Sequence, residues 1–142
     1  MNSFARQSTL IVGVGASAGG LEAFAQLLSS LGVTPGFAIA FVQHPDPRGE
    51  SLLIDWLSRS TPLKVVAVSE RVEPQEGVVY VCSPHTQLAA VDGWLCPNKS
   101  DDSKTNTNPI DDFFHSLAAD QGSRAVGVIL SGAGSDDRLG LK

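Results

Sequence analysis

The sequence predicts an α/β domain with a mostly parallel sheet, and three observations lead to this fold class. Short apolar and β-branched segments alternate with segments whose apolar residues recur at helical spacing. Several of these short segments are apolar throughout, which is typical of strands buried on both faces. Polar stretches rich in Gly, Pro, Asp or Asn separate the segments, as expected for loops.

The amino-terminal half contains two strand–helix units and a third strand. The first strand covers residues 9–15 and precedes a helix that ends at Gly32. A buried strand over residues 37–44 precedes a helix that ends before Pro62. The third strand covers residues 63–70. The apolar residues expected on the inner helix faces are Leu21, Phe24, Leu27, Leu28 and Leu31, then Leu52, Leu53, Trp56 and Leu57.

The second half begins with residues 76–83 and 86–97, which indicate a β-hairpin or meander with Asp92-Gly93 as a tight turn. Residues 98–108 contain no apolar side chain and are expected to form an exposed loop. A helix with Pro109 at its start and Gly122 after its end leads into another buried strand over residues 125–132. The inward residues of this helix are Ile110, Phe113, Phe114 and Leu117.

Composition limits the function classes. With 142 residues, 42% of them hydrophobic and 18% charged, the chain is expected to form one globular domain over residues 1–142. A net charge of −5 without a basic cluster gives no electrostatic footprint for nucleic acid. The absence of a long apolar run argues against membrane insertion, and two cysteines form neither a disulfide framework nor a zinc spacing. A cytoplasmic protein with reduced thiols is therefore expected.

Three polar residue types follow three of the predicted strands. Ser17 follows the first strand, His44 ends the second, and Asp136 and Asp137 follow the last. Ligand sites in open parallel sheets lie outside the carboxyl ends of the strands, so folding is expected to bring these residues together. A hydroxyl, an imidazole and a carboxylate are the groups of a nucleophilic triad, in which the base activates the serine and the carboxylate orients the base.

Ser17 also lies in a local pattern that suits a nucleophile. Residues 15–19 read G-x-S-x-G between a strand and a helix, which is the pattern of a nucleophile elbow. Small flanking residues permit a sharp turn that exposes the hydroxyl, and backbone N–H groups at the start of the helix face a developing oxyanion.

A dinucleotide site is an alternative interpretation of the same glycines. Gly13, Gly15 and Ala18 fit the relaxed fingerprint G-x-G-x-x-[GA] between a strand and a helix. That fingerprint expects an acidic residue about 20 positions later for the ribose, and residues 33–44 contain none. No cofactor is therefore expected.

Each candidate residue, taken singly, also has a non-catalytic interpretation that stays open. Ser17 taken alone suits a helix N-cap, His44 a loop histidine bonded to backbone, and the aspartates a solvated turn. His85, in a turn, and His115, within a helix, are weaker candidates for chemistry. A metal site is not expected, because no pair of these groups has ligand spacing.

Five motifs together resemble a known family. The motifs "VGVGASAGGLEAF", "FVQHPDP", "VYVCSPHTQL", "PIDDFFHSLA" and "GVILSGAGSDD" are similar to those of the catalytic domain of the chemotaxis methylesterase family CheB, in the form found at the N-terminus of CheB–CheR hybrid proteins. The resemblance covers residues 9–141. It implies a three-layer α/β/α fold with a mostly parallel, doubly wound sheet and an inserted β-hairpin.

The resemblance also implies an activity and its residues. The family hydrolyses glutamyl methyl esters on cytoplasmic helices of chemoreceptors, and deamidation of receptor glutamine is a companion activity. The family's serine in "GAS-x-GG" falls on Ser17, its histidine in "QH" on His44, and its aspartate on Asp136 rather than Asp137. The implied partners are methylated chemoreceptor helices and a fused or separate CheR methyltransferase.

The chain departs from the family pattern at two positions of one loop. Asp137 stands where the family has glycine, and Ala133 where it commonly has Met or Thr. We expect no receiver domain before residue 9, and because family domains extend beyond the equivalent of residue 142, we expect a domain shortened at its C-terminus. A non-catalytic signalling or docking module is the alternative that these departures favour.

Overall fold

The computed structural model describes residues 9–16, 20–32, 35–43, 52–82, 86–99 and 109–130. Five parallel strands form one sheet in the order β3–β4–β2–β1–β7, and two antiparallel strands form a separate hairpin. The sheet strands are β1 (Ile11–Ala16), β2 (Ala38–Gln43), β3 (Lys64–Val68), β4 (Val78–Cys82) and β7 (Val126–Leu130). The hairpin strands are β5 (Thr86–Val91) and β6 (Trp94–Lys99), and the helices are α1 (Gly20–Leu31), α2 (Leu52–Ser60) and α3 (Pro109–Gln121).

One face of the sheet is covered by α1 and α2. Successive residues of a strand point to opposite faces, so Ile39 and Phe41 of β2 belong to this side. Phe24 of α1 stacks on Phe41, with ring centroids 4.1 Å apart and the rings nearly parallel. Leu28 and Leu57, both fully buried, complete the contact of the two helices with the sheet. This layer is held by apolar burial.

The other face is covered by α3 and by the β5–β6 hairpin. Ala38, Ala40 and Val42 of β2 point to this side. Leu88 and Leu95 of the hairpin are buried against the same cluster, which also contains three α3 residues: Ile110, Phe113 and Leu117. The molecule thus has the predicted three layers, and the hairpin shares one outer layer with a helix.

The hairpin turn has the geometry that its sequence predicts. Asp92 has a φ of 54° and Gly93 a φ of 83°, which are the two positive values that a type I′ turn requires. Val72, in the connection from β3 to β4, exchanges both backbone hydrogen bonds with Leu95 at 2.9 Å. The inserted hairpin is therefore hydrogen-bonded to the connection between β3 and β4. This connection contains no helix in residues 69–77.

Most sequence expectations for the elements are confirmed, and three are wrong in detail. Residues 76–83 were expected to form a hairpin or meander with residues 86–97, but β4 is a parallel strand between β3 and β2, and only β5 and β6 form the hairpin. Trp56 was expected on the inner face of α2 but is 37% exposed, whereas Ile54 packs with Leu57 against the core. Adjacent helical residues are rotated by about 100°, so Trp56 and Leu57 do not both face the sheet. The last strand was expected to be buried, but β7 lies at the end of the described sheet and its Ile129 is 61% exposed.

Candidate functional site

The carboxyl ends of three adjacent strands coincide at one edge of the sheet. Ala16, the last residue of β1, is paired with Gln43, the last residue of β2. On its other side Ala16 is paired with Leu130, the last residue of β7. Neighbouring strands lie about 4.8 Å apart, so the chain leaves the sheet from three adjacent points at one level.

The predicted triad residues follow these three points in the sequence. Ser17 comes directly after Ala16, and His44 comes directly after Gln43. Asp136 belongs to the segment that follows Leu130. Ser17, His44 and Asp136 themselves lie outside the described residues, as do Asp137 and His85. The structure therefore brings together the strand ends that carry the three residues, and the triad itself stays a prediction.

The connections around β1 reverse direction at the same place. After β1 the chain passes through α1 to β2 on one side, and after α3 it enters β7 on the other side. The two helices cover opposite faces of the sheet. Such a topological switch point is where open α/β sheets form the crevice that binds their ligands. The sheet order thus favours the ends of β1 and β7 as the candidate site.

Gly13 and Gly15 have a packing role that the sequence analysis missed. Neither has a positive φ. A Cβ on Gly15 would lie 2.5 Å from the Cγ2 methyl of Ile110, and one on Gly13 would lie 2.8 Å from the ring of Phe113. Helix α3 therefore rests on the backbone of β1, and glycine is required because any side chain would displace the helix.

This packing role weakens the case for a dinucleotide site. That interpretation needs Gly13 and Gly15 to keep space free for a pyrophosphate. Side chains of α3 already occupy the space where each Cβ would stand. The glycines are thus explained without a nucleotide. The signal available in the sequence was their spacing of two within a strand, which places both on one face of the sheet.

Gly20 joins the start of α1 to the ends of two strands. A Cβ on Gly20 would lie 2.8 Å from the Cβ of Ala16 and 3.0 Å from the carbonyl oxygen of Leu130. The first residue of α1 therefore touches the ends of both β1 and β7. Backbone N–H groups of a helix start are unpaired within the helix and carry a partial positive charge, which suits a developing oxyanion.

Helix α3 is held at its other end by hydrogen bonds to the hairpin backbone. Ser116 Oγ accepts a hydrogen bond from the N–H of Ala90 at 2.9 Å. The carboxylate of Asp120 accepts from the N–H groups of Asp92 and Gly93, at 2.6 and 2.8 Å. A carboxylate near a helix C-terminus is unfavourable to the helix dipole, so Asp120 serves the hairpin turn rather than its own helix.

Ionisable side chains of β4 and α3 differ in burial. Cys82, the last residue of β4, is a free thiol, and burial raises its pKa to about 12. Burial also raises the pKa of Tyr80, although its hydroxyl accepts a hydrogen bond from the N–H of Gln75, which acts in the opposite direction. His115 is exposed on α3. Among the residues with described structure, no group of three or more His, Cys, Asp or Glu could hold a metal ion.

Comparison with protein families gives a match to the CheB methylesterase model over residues 12–142. The chain belongs to the CheB methylesterase family. The family predicted from the five motifs is thereby confirmed, and the CheB–CheR hybrid context stays a prediction. None of the helices in the described part of this CheB chain is both long and apolar enough to cross a membrane.

Several relatives and a solved structure agree with this assignment. A protein-glutamate methylesterase/protein-glutamine glutaminase of Mesorhizobium japonicum is 37% identical over 93% of the chain and 39% of its own length. A relative of the same name from Pseudomonas fluorescens is 35% identical over 96% of the chain and 40% of its own length. The crystal structure of the Thermotoga maritima CheB methylesterase catalytic domain matches with a TM-score of 0.70 and 26% identity, over 91% of this chain and 70% of that one.

The chain spans about two fifths of the length of these curated relatives. The structural match covers a much larger share of the solved catalytic domain than the sequence matches cover of the full-length relatives. The likeness therefore concerns the methylesterase part of those proteins.

Proposed function

We propose that this chain is a protein-glutamate methylesterase domain in which Ser17, His44 and Asp136 form a catalytic triad. Residues 1–142 act as a single domain. The substrate class is the γ-methyl ester of glutamate, and glutamine side chains are the second substrate class. Support comes from the family membership and from relatives named for both activities.

The proposed reaction follows from the chemistry of the three groups. His44 accepts the proton of the Ser17 hydroxyl while the oxygen attacks the ester carbonyl. The tetrahedral intermediate collapses, and methanol leaves with the proton that His44 held. Water then attacks the acyl-serine ester with His44 again as the base, which releases glutamate and free serine. Asp136 orients the imidazole and stabilises its charged form.

The single observation that carries the proposal is the pairing of Ala16 with both Gln43 and Leu130. Two of the three proposed groups follow directly after paired strand ends, and the third belongs to the segment after the remaining strand end. Ala16, Gln43 and Leu130 are far apart in the chain and lie side by side only because these strands are adjacent. The start of α1 at Gly20 adds backbone N–H donors at the same edge.

The proposed partners are the methylated cytoplasmic helices of chemoreceptors. A CheR methyltransferase, fused or separate, is the proposed source of the ester, because a methyl-transfer reaction must supply the group that this reaction removes. The cytoplasm is the proposed compartment. No cofactor takes part in the proposed reaction.

The test is a methanol-release assay on methylated receptor cytoplasmic fragments, with the chain and a C-terminally extended form side by side. Ser17→Ala should abolish release of methanol while the far-ultraviolet circular dichroism spectrum stays unchanged. A Ser17→Ala variant that hydrolyses the ester at the parent rate would contradict the proposal. Receptor binding without methanol release by the extended form would favour a docking module instead.

Variants of Asp136 and Asp137 form a matched pair that tests which aspartate orients His44. Asp136→Asn should lower kcat by a factor on the order of 10⁴, because the amide no longer holds the imidazole in the active tautomer. Asp137→Asn removes the same charge from the neighbouring residue and should leave kcat near the parent value. The opposite ranking would assign the role to Asp137.

A further inference from the structure

The first turn of α3 lies against the last part of β1. Ile110 is in contact with Gly15, whereas Phe113 and Leu117, one and two turns later, are in contact with Gly13. The helix therefore runs antiparallel to β1, and its start stands at the carboxyl end of the strand. Gly15 is two residues before Ser17 in the sequence, and Ile110 is the α3 side chain that contacts it.

The contact is made by one atom of a rigid side chain. The Cγ2 methyl of Ile110 lies 2.5 Å from the position of a Gly15 Cβ, while Cγ1 and Cβ lie 3.4 and 3.5 Å away. Isoleucine in a helix has one strongly preferred χ1 rotamer, so this methyl has a fixed position relative to the helix backbone. It occupies the space between Gly15 and α3, so the end of β1 has no room to move toward the helix.

The helix that carries this methyl is itself held in place. Ser116 and Asp120 accept three hydrogen bonds from the backbone of the hairpin, at the end of α3 opposite to Ile110. Phe113 and Leu117, one and two turns after Ile110, are buried against Gly13. Sliding of α3 along β1 would break these contacts, so Ile110 cannot follow a movement of the strand end.

We propose that Ile110 is a positioning residue for the proposed esterase reaction, with its Cγ2 methyl fixing the position of Gly15 at the end of β1, two residues before Ser17 in the sequence. This inference rests on the proposed function of Ser17. It predicts that the shape of residue 110 controls kcat more than its size does, because a displacement of about 1 Å in a reacting group is enough to lower rates by one to two orders of magnitude.

The test compares isomers at this position. Ile110→Val keeps both γ carbons and should keep kcat near the parent value. Ile110→Leu keeps the atom count but moves the branch away from Cβ, and it should lower kcat about tenfold or more with little change in KM. Ile110→Ala also removes the methyl and replaces Ile110→Leu if that variant does not fold. All rates are measured well below the midpoint of thermal unfolding of every variant.

Leu57→Ile is the matched control, because it makes the reverse isomer change at a fully buried position of α2, which packs on the opposite face of the sheet from α3. It should lower the unfolding midpoint and leave kcat unchanged. A second readout is the rate at which a fluorophosphonate modifies Ser17, which reports on the nucleophile without the receptor substrate. The same ranking of variants in both readouts would support the inference.

Two results would overturn the inference, and they are distinguishable. If the parent chain releases methanol but Ile110→Leu and Leu57→Ile have the same kcat, Ile110 has only a structural role. If the parent neither releases methanol nor reacts with the fluorophosphonate at Ser17, the proposed function fails and the inference fails with it.

Discussion

The two layers that cover the sheet are built differently, although they pack on the same strands. On the α1–α2 side, β2 contributes Ile39 and Phe41. The ring of Phe24 in α1 stacks on the ring of Phe41, with the ring centroids 4.1 Å apart. On the α3–hairpin side, β2 presents Ala38 and Ala40, and β1 presents two glycines. Over residues 12–15 of β1 and 38–41 of β2, the larger residues therefore face the α1–α2 layer and the small residues face the α3–hairpin layer.

The difference shows how the positions of the two helices are set. After its first residue, Gly20, helix α1 is separated from the sheet by large apolar side chains, and such contacts repack when one of them changes. Helix α3 touches strand backbone at Gly13 and Gly15 and is bonded to the hairpin through Ser116 and Asp120. A side chain can repack, but the backbone of a central strand cannot easily move. The α3 side is thus the less adjustable of the two.

The largest effect is expected on the α1–α2 side, from Phe24→Ala. Both rings of the Phe24–Phe41 stack are buried, so the truncation leaves a cavity and should lower the free energy of unfolding by about 4 kcal/mol. Phe24→Leu, which keeps most of the volume, should cost less than half as much. Urea denaturation measures both. A cost below about 1 kcal/mol for Phe24→Ala would show that this layer collapses around the cavity.

Gly15→Ala should have the next largest effect, from a single added methyl. The new Cβ would meet the Ile110 methyl at 2.5 Å, and we expect a loss of about 3 kcal/mol from overpacking against a helix that cannot shift. Gly36→Ala is the control, because nothing lies within 4 Å of its Cβ and its φ is not positive.

A double variant isolates the contact between α3 and β1. Ile110→Ala removes the methyl that the new Cβ would meet, so the two changes together should cost clearly less than the sum of the separate costs. Additive costs, measured by urea denaturation, would mean that Gly15 is needed for another reason than α3.

Asp120→Ala tests the polar attachment of α3. The variant leaves the N–H groups of Asp92 and Gly93 without their carboxylate acceptor and should lower the free energy of unfolding by about 2 kcal/mol. Asp112→Ala, an exposed aspartate of the same helix, is the control and should change the stability little. Amide hydrogen exchange at residues 92 and 93 should accelerate in Asp120→Ala alone. Unchanged exchange would contradict the role of Asp120.

The smallest effect at neutral pH concerns the Cys82 thiol, which packs against the α3–hairpin core, because its titration changes the stability only above about pH 9. Burial raises its pKa from 9.0 to about 12, so the folded protein holds the thiol proton more tightly than the unfolded chain does. This contribution to stability is fully present below pH 9 and is lost as the pH rises from 9 toward 12, by at most about 1.4 kcal/mol per pH unit. Cys82→Ala should reduce the slope of stability against pH above 9. Equal slopes in both proteins would place the thiol in a solvated environment.

Sequence patterns alone determined the fold class, the element order and the C-terminal ends of α1 and α3. Alternation of apolar strands and amphipathic helices requires a parallel sheet, Gly32 and Gly122 end their helices with positive φ, and Asp92-Gly93 forms the turn it predicts. These outcomes depend on neighbouring residues only, so local propensity and periodicity are enough to predict them. The order of Ser17, His44 and Asp136 after strands was likewise visible in the sequence.

Only the tertiary structure decided which strands are neighbours and why β1 is rich in glycine. Strand order depends on contacts between residues distant in the chain, and periodicity carries no information about them. The glycines near Ser17 suggested a nucleophile mount or a phosphate cradle, but Gly13 and Gly15 are required by a helix that begins about a hundred residues later. Asp120, unfavourable within its own helix, is explained only by the turn that folding brings to it.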